Sequence, residues 1–160
     1  MTYLDGLDMA LIGVVKPLME SSIQPAGIDL TLSEVERLSG AGLLNRFSKK
    51  LPPAEKIDPE NNVYQLPPGV YRIRFSEIVR IPIGYVGFCY PRSSLLRMGV
   101  HLGCAVWDPG YVGRGQALLA VLNPHGWSVE RYARIAQLVL ARIEGPARSS
   151  YRGSYQLEGV

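Results

Sequence analysis

The chain has 160 residues, of which 47% are hydrophobic and 19% are charged, and its formal net charge is +3. This composition excludes a disordered protein and predicts one globular domain over residues 1–160 with a sizeable core. Gly13, Lys16 and Pro17 break the apolar N-terminal run, which excludes a membrane span there, and no basic stretch precedes it as in a signal peptide. We therefore expect a cytoplasmic protein without a membrane partner.

The first half of the chain contains few regular elements. Residues 1–20 form a predicted N-terminal helical segment, with a helix over 3–20, Asp5 as a possible cap and an end near Pro17. QPAGIDLTL predicts the first strand, and LSEVERLSGAGLL fits either a helix or a bent strand. PPAEKIDPENN has the proline and asparagine content of a surface loop.

Short strands at regular spacing dominate the rest. They are VYQL, GVYRIRF, EIVRIP, YVGFCYP, GVHLGCAVW, QALLAVLN and ARIAQLVLARIE, separated by turns rich in glycine and proline. In VYRIRF, apolar residues alternate with arginines, whereas the continuous QALLAVL predicts a strand buried on both faces. The pattern indicates a mainly β fold, a barrel or a jelly-roll double sheet. Residues 145–160 predict a polar tail that is flexible without ligand.

The cysteines and histidines give no sign of a metal site. Cys89 and Cys104 lie in apolar, strand-like sequence and are predicted to be structural thiols. His101 and His125 have no other ligand at zinc spacing, so both are predicted to be structural. All basic residues after position 90 are arginines, which fits a phosphorylated partner or an ordinary solvated face. No basic run with interleaved aromatic residues appears, so we expect no nucleic-acid partner.

Four short segments carry candidate chemistry. AGIDL places Asp29 after a glycine turn. PRSSLLRMG predicts a turn into a short helix, where arginines, hydroxyls and backbone N–H groups could hold an anion, or where a serine merely caps the helix. Asp108 ends a strand before Pro109-Gly110, as a site carboxylate or a turn aspartate. In RIAQLVL, Gln137 needs partners if buried, and either the structure or a ligand could supply them.

Together these segments resemble the four motifs of the dUTPase and dCTP deaminase superfamily. AGIDL, PRSSL, AVWDPGYVG with GQALLAVLN, and RIAQLV follow in the family's order over about residues 20–156. The DPG sequence and the tail are most similar to archaeal-type dUTPases of the deaminase-like branch. The resemblance implies a distorted jelly-roll β-barrel, a homotrimer with active sites between subunits, and hydrolysis of dUTP to dUMP and pyrophosphate.

The resemblance also implies roles for individual residues. Asp108 would activate the water that attacks the α-phosphorus, Tyr111 would pack on the deoxyribose, and the hairpin backbone at Leu102, Gly103 and Cys104 would read the uracil edge. The implied phosphate-binding residues are Arg92, Ser93, Ser94, Arg97 and Gln137. Mg²⁺ is the implied cofactor, held mainly by the triphosphate and water rather than by protein ligands.

The tail and one turn depart from the family pattern. YRGSYQ replaces the glycine-rich fifth motif of ordinary trimeric dUTPases. By resemblance Arg152, Tyr155 and Gln156 would close over the nucleotide as a lid, which a neighbouring subunit could supply. The turn YVGRG is two residues longer than usual, so Arg114 has no counterpart. Arg114 could reach a phosphate or face solvent, and we expect it to face solvent.

Two other functions remain open. Deaminases of this superfamily require a glutamate on the strand after the third motif, and Ala120 falls at that position. Because alanine cannot transfer a proton and residues 109–129 contain no acid, we expect Asp108 to stand without a second acid nearby. The alternatives are a dCTP deaminase or bifunctional deaminase–dUTPase, and a regulatory protein that senses a nucleotide without turnover.

Overall fold

The computed structural model describes residues 2–145 and 149–160. The helices are α1 (Gly6–Leu11), a 3₁₀ turn (Glu20–Ser22) and α2 (Ser93–Arg97). The strands are β1 (Val15–Lys16), β2 (Ile23–Gln24), β3 (Gly27–Leu38), β4 (Leu43–Leu44), β5 (Lys49–Lys50), β6 (Ala54–Ile57), β7 (Val63–Leu66), β8 (Gly69–Phe75), β9 (Ile78–Arg80), β10 (Tyr85–Pro91), β11 (Val100–Gly103), β12 (Val112–Gly113), β13 (Gln116–Val121), β14 (Trp127–Glu130) and β15 (Arg134–Arg142). Residues 1 and 146–148, which belong to the predicted N-terminal segment and tail, lie outside the described residues.

One large antiparallel sheet organises the molecule. Its strand order is β10-β15-β3-β8-β13-β11, and β2 and β6 also pair with β3. A bridge between Gly87 and Trp107 joins β10 to the segment that follows β11, so the two ends of the sheet meet. Smaller sheets, β1-β9-β12 and β14-β7, cover the barrel, while β4-β5 forms a separate hairpin. The predicted mainly β, jelly-roll barrel is confirmed.

Strand alternation determines which side chains form the core. Tyr71, Ile73 and Phe75 of β8 are buried, as their alternation with arginines predicts. The prediction that β13 is buried on both faces is wrong, because Leu119 is fully buried whereas Leu118 is 46% exposed. Both strands follow the period of two, with one face toward the core.

The N-terminal helix is shorter than predicted. Asp5 caps it, since its Oδ1 accepts a hydrogen bond from the backbone N–H of Asp8 at 2.8 Å. The helix ends at Leu11 because Gly13 adopts a φ of +70°, after which the chain enters β1. No helix in residues 2–145 or 149–160 is long and apolar enough to cross a membrane.

Two of the strands that the sequence did not predict add paired neighbours to β3 and β7. Ala54–Ile57, within the predicted surface loop, is strand β6 and pairs with β3. β14 (Trp127–Glu130) was not predicted at all, and it pairs with β7. The ambiguous segment LSEVERL forms the second half of β3, and a register shift between Leu32 and Glu34 bends it. The bent-strand interpretation is therefore correct.

The start of β3 leaves no room for a side chain at Gly27. A Cβ there would lie 2.0 Å from the backbone oxygen of Leu138 in β15, far inside van der Waals contact. We predict that Gly27→Ala lowers the free energy of unfolding by more than about 2 kcal/mol, because strand backbones must separate. Urea unfolding measures this loss.

Gly69→Ala is the matched control for this prediction. A Cβ at Gly69 would meet its nearest neighbour, the Tyr71 hydroxyl, at an ordinary 3.5 Å. We expect its free energy of unfolding to stay within about 1 kcal/mol of the parent value. Equal stability of the two variants would show that β3 and β15 tolerate wider spacing at Gly27.

Candidate functional site

A cavity of about 410 Å³ lies between the large sheet and the C-terminal tail. Its walls are mainly apolar, and two carboxylates, Asp108 and Glu158, line it together with Arg72. Gly103, Leu118 and Tyr155 also contribute. Such a cavity suits a ligand with a substantial apolar surface that a few polar groups hold in place.

The strand bridge and a tight turn place Asp108 at this cavity. Trp107 exchanges both backbone hydrogen bonds with Gly87, at 2.9 and 3.0 Å, and Asp108 follows immediately. The carbonyl oxygen of Asp108 accepts the Tyr111 N–H at 3.1 Å, while Gly110 turns the chain with a φ of +83°. Since the backbone of Asp108 makes the turn hydrogen bond, its exposed carboxylate remains available to a ligand.

Tyr111 is held in an aromatic stack. Its ring lies 5.6 Å from Trp107 and 5.7 Å from Tyr151, and the residue is only 5% exposed. Its hydroxyl donates to Glu158 Oε1 at 2.8 Å. Burial and this hydrogen bond both raise the pKa of Tyr111, so the phenol stays protonated. A Cβ at Gly115 would come within 2.5 Å of the Trp107 ring, so this stack requires glycine there.

The C-terminal tail docks on the hairpin of its own chain. Gln156 Oε1 accepts the Val112 N–H and Gln156 Nε2 donates to the Gly110 carbonyl, both at 3.0 Å. The Leu157 N–H donates to the Val112 carbonyl at 2.8 Å. These hydrogen bonds hold the tail against the hairpin of its own chain.

The other predicted lid residues take different positions. Tyr155 lines the cavity, and its hydroxyl lies 3.1 Å from Lys49 Nζ, which also sits 4.2 Å from the ring centre. Arg152 is exposed. Lys49 therefore connects the β4-β5 hairpin to the tail.

The expectation that Arg114 faces solvent is wrong. Arg114 is half-buried, and its backbone N–H donates a hydrogen bond to the backbone carbonyl of Glu158 at 2.8 Å. Within the described part of the chain, its buried Nε has no hydrogen-bond partner, as is also true of Arg74 Nε. The docked tail covers Arg114 because Gly159 lies directly against it.

The second group of predicted site residues clusters around α2. Arg92 Nε lies 3.2 Å from Asp29 Oδ2, and Arg134 Nη1 approaches the same oxygen at 3.4 Å. Gln137 is the register partner of Asp29 in the paired strands β15 and β3. AGIDL, PRSSL and RIAQLV are therefore brought together, as the resemblance implies.

Asp29 is a buried carboxylate between two arginines. Its side chain is 2% exposed, and burial raises the pKa of Asp29, while Arg92 and Arg134 act in the opposite direction. The two guanidinium groups exceed the single carboxylate by one positive charge, so the cluster can still attract an anion.

The other α2 residues lie around this ion pair. Ser93 is exposed and Ser94 is half-buried. Arg97 is exposed and donates to the Ser93 carbonyl at 2.9 Å. Arg92, at the N-cap position, makes no side-chain capping hydrogen bond. The first-turn N–H groups of α2 are therefore not capped by that side chain.

The predicted site residues form two separate groups in one chain. Gly103, Asp108, Tyr111 and Tyr155 line the cavity, whereas the residues of α2 and Gln137 do not. Leu102 points into the core and Cys104 packs against it, so only their backbone could face a ligand.

Sequence reasoning missed several residues of the cavity. Trp107 precedes Asp108 in the sequence and Tyr151 precedes Arg152, and both aromatic residues line the cavity. Their position next to predicted site residues was the available signal. Glu158 and Arg72 gave no local signal, because both are distant from Asp108 in sequence. Docking of the tail brings Glu158 to the cavity, and strand pairing in the sheet brings Arg72 there. Glu158 also corrects the expectation that Asp108 has no second acid nearby.

The described residues contain no group of three or more histidine, cysteine, aspartate or glutamate side chains that could hold a metal. Asp29 is engaged by two arginines, and Asp108 and Glu158 are carried by different segments. A hard cation at this site would need most of its oxygen ligands from a bound ligand and water.

Comparison with known proteins identifies similar sequences. A family model described as dCTP deaminase-like matches residues 7–143. A probable deoxyuridine 5′-triphosphate nucleotidohydrolase of Aeropyrum pernix is 58% identical over 158 residues, covering 99% of both chains. A protein of the same description from Methanosarcina mazei is 39% identical, covering 88% of this chain and 84% of its own.

Solved structures show the same fold at low sequence identity. A 2′-deoxycytidine 5′-triphosphate deaminase from Agrobacterium tumefaciens superposes with a TM-score of 0.68 at 17% identity, covering 86% of this chain and 47% of its own. A Staphylococcus bacteriophage 80alpha dUTPase mutant with dUpNHpp gives 0.51 at 19% identity, covering 87% and 95%. The phage phi11 dUTPase, with a structural Mg(II) ion, gives 0.52 at 17% identity, covering 88% and 97%.

Loss of the Tyr111 hydroxyl should loosen the tail. In Tyr111→Phe, Glu158 loses its 2.8 Å donor, which weakens docking by about 1 kcal/mol. We predict about fivefold faster hydrogen exchange at the N–H groups of Arg114 and Leu157, which donate across the docked segment.

Tyr132→Phe is the control for this measurement. Tyr132 is 52% exposed and lies beside Arg131, in the turn between β14 and β15. Its replacement should leave exchange at Arg114 and Leu157 unchanged. If Tyr111→Phe also left those rates unchanged, the hydrogen bond to Glu158 would contribute nothing to docking.

Proposed function

Because this chain belongs to the dCTP deaminase-like family, as its motifs predict, we propose that it is a dUTP diphosphatase that hydrolyses dUTP to dUMP and pyrophosphate. The observation that carries the proposal is the exposed carboxylate of Asp108 at the edge of a mainly apolar cavity. The similarity to probable deoxyuridine 5′-triphosphate nucleotidohydrolases over nearly the whole chain supports it. A cytoplasmic location goes with this proposal.

In this proposal the cavity receives the nucleoside. Tyr111 packs against the deoxyribose, and the backbone from Leu102 to Cys104 hydrogen-bonds the uracil edge. Gly103 lines the cavity, which is consistent with close approach of a base to the backbone. The tail residues Tyr155 and Gln156 then cover the nucleotide and exclude bulk water.

Asp108 acts on the attacking water. Its carboxylate accepts a hydrogen bond from the water, orients it toward the α-phosphorus, and takes its proton as the phosphorus–oxygen bond forms. The leaving group is pyrophosphate. The turn at Gly110 positions this carboxylate, whose backbone is already hydrogen-bonded within the turn.

The α2 cluster binds the phosphates in this proposal. The guanidinium groups of Arg92 and Arg97 offer paired N–H donors that match phosphate oxygens, and Ser93, Ser94 and Gln137 add neutral donors. Asp29 orients Arg92 through the 3.2 Å ion pair. Arg152 of the tail supplies one further cation when the tail covers the ligand.

Mg²⁺ is the cofactor of this proposal. The donor set fits a cation that travels with the substrate, because the described residues provide no three-ligand group of their own. Triphosphate oxygens and water would supply most of its oxygen ligands. When bound, the ion neutralises charge on the phosphates.

Asp108→Asn tests the proposed role of the carboxylate. The amide keeps the size of the side chain but cannot accept the proton of the water, so we predict a fall in kcat of at least about 10²-fold. Pyrophosphate release from dUTP in the presence of Mg²⁺ measures it. Asp8→Asn, on the exposed side of α1, is the control and should keep parental turnover.

The same assay with dCTP separates hydrolysis from deamination. A deaminase is favoured by the structural similarity to a dCTP deaminase and by Glu158, a second carboxylate in the cavity. However, Glu158 is hydrogen-bonded to Tyr111. Ala120 lies two residues after the cavity residue Leu118, on the same face of β13, and its side chain carries no acidic group. We expect no dUTP or dUMP from dCTP, and substantial formation of either would contradict the assignment.

We further propose a homotrimer whose sites combine residues of two subunits. The separation of the cavity group from the α2 group within one chain supports this arrangement. A second subunit would bring its α2 cluster to the cavity, so that phosphates and attacking water meet at the interface.

Mixed trimers test the shared site. We predict that Asp108→Asn and Arg97→Glu are each inactive alone, and that subunits exchanged between them regain part of the parental activity. In a hybrid trimer, some interfaces would combine the native Asp108 of one subunit with the native Arg97 of its neighbour. If each site used Asp108 and Arg97 of the same chain, the mixture would stay as inactive as the separate variants.

A further inference from the structure

The β4-β5 hairpin forms an arm that leaves the barrel at the end of β3. This arm comprises residues 39–53, and the Ser39 N–H closes its base by donating to the Pro53 carbonyl at 2.9 Å. Residues 39–51 are all exposed. The arm is therefore a surface element whose apolar side chains the barrel does not bury.

The tip of the arm presents an aromatic side chain to water. Asn45 Oδ1 accepts hydrogen bonds from the N–H groups of Phe47 and Ser48, at 2.9 and 2.8 Å. These bonds fix the turn, yet Phe47 is 96% exposed and Leu44 is 83% exposed. Leu43, beside Leu44, is also more than half exposed. An ordered turn with several large apolar side chains in water is typical of a protein contact surface.

The charge of the arm restricts what can cover it. Arg46, Lys49 and Lys50 are its charged residues, and residues 39–53 contain no acid. A complementary partner surface therefore combines exposed apolar side chains with an excess of acids.

The N-terminal surface of the same chain, formed by the exposed side chains of residues 5–20, has this composition. Met9 of α1 is buried, whereas Leu7 and Leu11, one helical turn apart on the outer side of the helix, are both exposed. Ile12 is exposed as well. Residues 5–20 contain three exposed acids and one base. The arm and the N-terminal surface are thus complementary in charge, and both expose apolar side chains.

The two surfaces lie at opposite ends of β3. The helix α1 packs on the first residue of this strand, because a Cβ at Gly6 would collide with the backbone oxygen of Gly27. The arm follows the last residue, Leu38. The twelve residues of β3 separate the two ends by on the order of 30 Å. Both surfaces are exposed in the single chain, so a contact between them joins two copies head to tail.

We propose that the arm of one copy docks on the N-terminal surface of a second copy, with Phe47 packed against Leu7 and Leu11. This inference rests on the proposed homotrimer and names the surfaces that hold it together. A head-to-tail contact is heterologous, so each subunit gives one arm and receives one, and the contact can close into a ring. The apolar side chains supply the affinity, whereas each exposed charge pair contributes little by itself.

Photocrosslinking maps the contact. The full-length chain with Phe47→p-benzoylphenylalanine is mixed with ¹⁵N-labelled parental chain, and it is irradiated without nucleotide once native mass spectrometry shows mixed assemblies. We expect crosslinked peptides whose ¹⁵N-labelled half comes from residues 5–20. Crosslinks to another segment, crosslinks only within the variant chain, no crosslinks, or a chain that stays monomeric would overturn the proposal.

Two apolar-to-polar variants test the energetics of the contact. Phe47→Ser and Leu11→Ser should each weaken association at least about tenfold, because each removes an apolar side chain that the contact covers. Sedimentation velocity over a dilution series measures this loss. Tyr132→Ser, which removes an exposed aromatic ring from the turn between β14 and β15, is the matched control and should associate like the parental chain. Equal association of all four proteins would overturn the proposal.

Neither measurement depends on turnover. Asp108→Asn keeps both surfaces, so it should crosslink like the parental chain whatever its rate of hydrolysis. Failure of the contact is therefore distinguishable from failure of the proposed hydrolysis. If hybrids of Asp108→Asn and Arg97→Glu regain activity while Phe47 crosslinks elsewhere, the shared site stands and the arm contact is wrong.

Discussion

The antiparallel bridge between Gly87 and Trp107 is the constraint on which the candidate site depends. It joins the two ends of the large sheet and thereby sets the point where the chain leaves the barrel, at Asp108. It favours a glycine, because a Cβ at Gly87 would lie 2.9 Å from the Ile81 side chain and 3.2 Å from that of Trp107, and one of these side chains would have to shift. The same bridge fixes the Trp107 ring against Tyr111.

The α2 cluster contains a buried charge that orients an arginine proposed to bind phosphate. Removing Asp29 from water is unfavourable, and only the two guanidinium groups beside it offset that penalty. In return, Asp29 restricts the orientation of Arg92, which would otherwise be a flexible surface side chain. An arginine that is already oriented loses less conformational entropy when it binds an oxyanion.

Tail docking links the chain terminus to the cavity. The hydrogen bonds from Gln156 and Leu157 reach the backbone of the hairpin that carries Asp108 and Tyr111. Each of these hydrogen bonds contributes about 1 kcal/mol, so the docked tail is stable only when they form together. A segment held by several weak contacts can open for exchange of a ligand and close again without disturbing the barrel.

Local sequence patterns determined the barrel and the motif residues of this protein. Period-two alternation identified most strands, Asp5 marked the first helix, and the order of AGIDL, PRSSL, AVWDPGYVG and RIAQLV indicated the family. Tertiary structure alone decided that β13 is buried on one face, that Arg114 lies beneath the tail, and that Glu158 lines the same cavity as Asp108. These features depend on contacts between residues far apart in sequence, and no local pattern encodes which distant backbone will cover a given side chain.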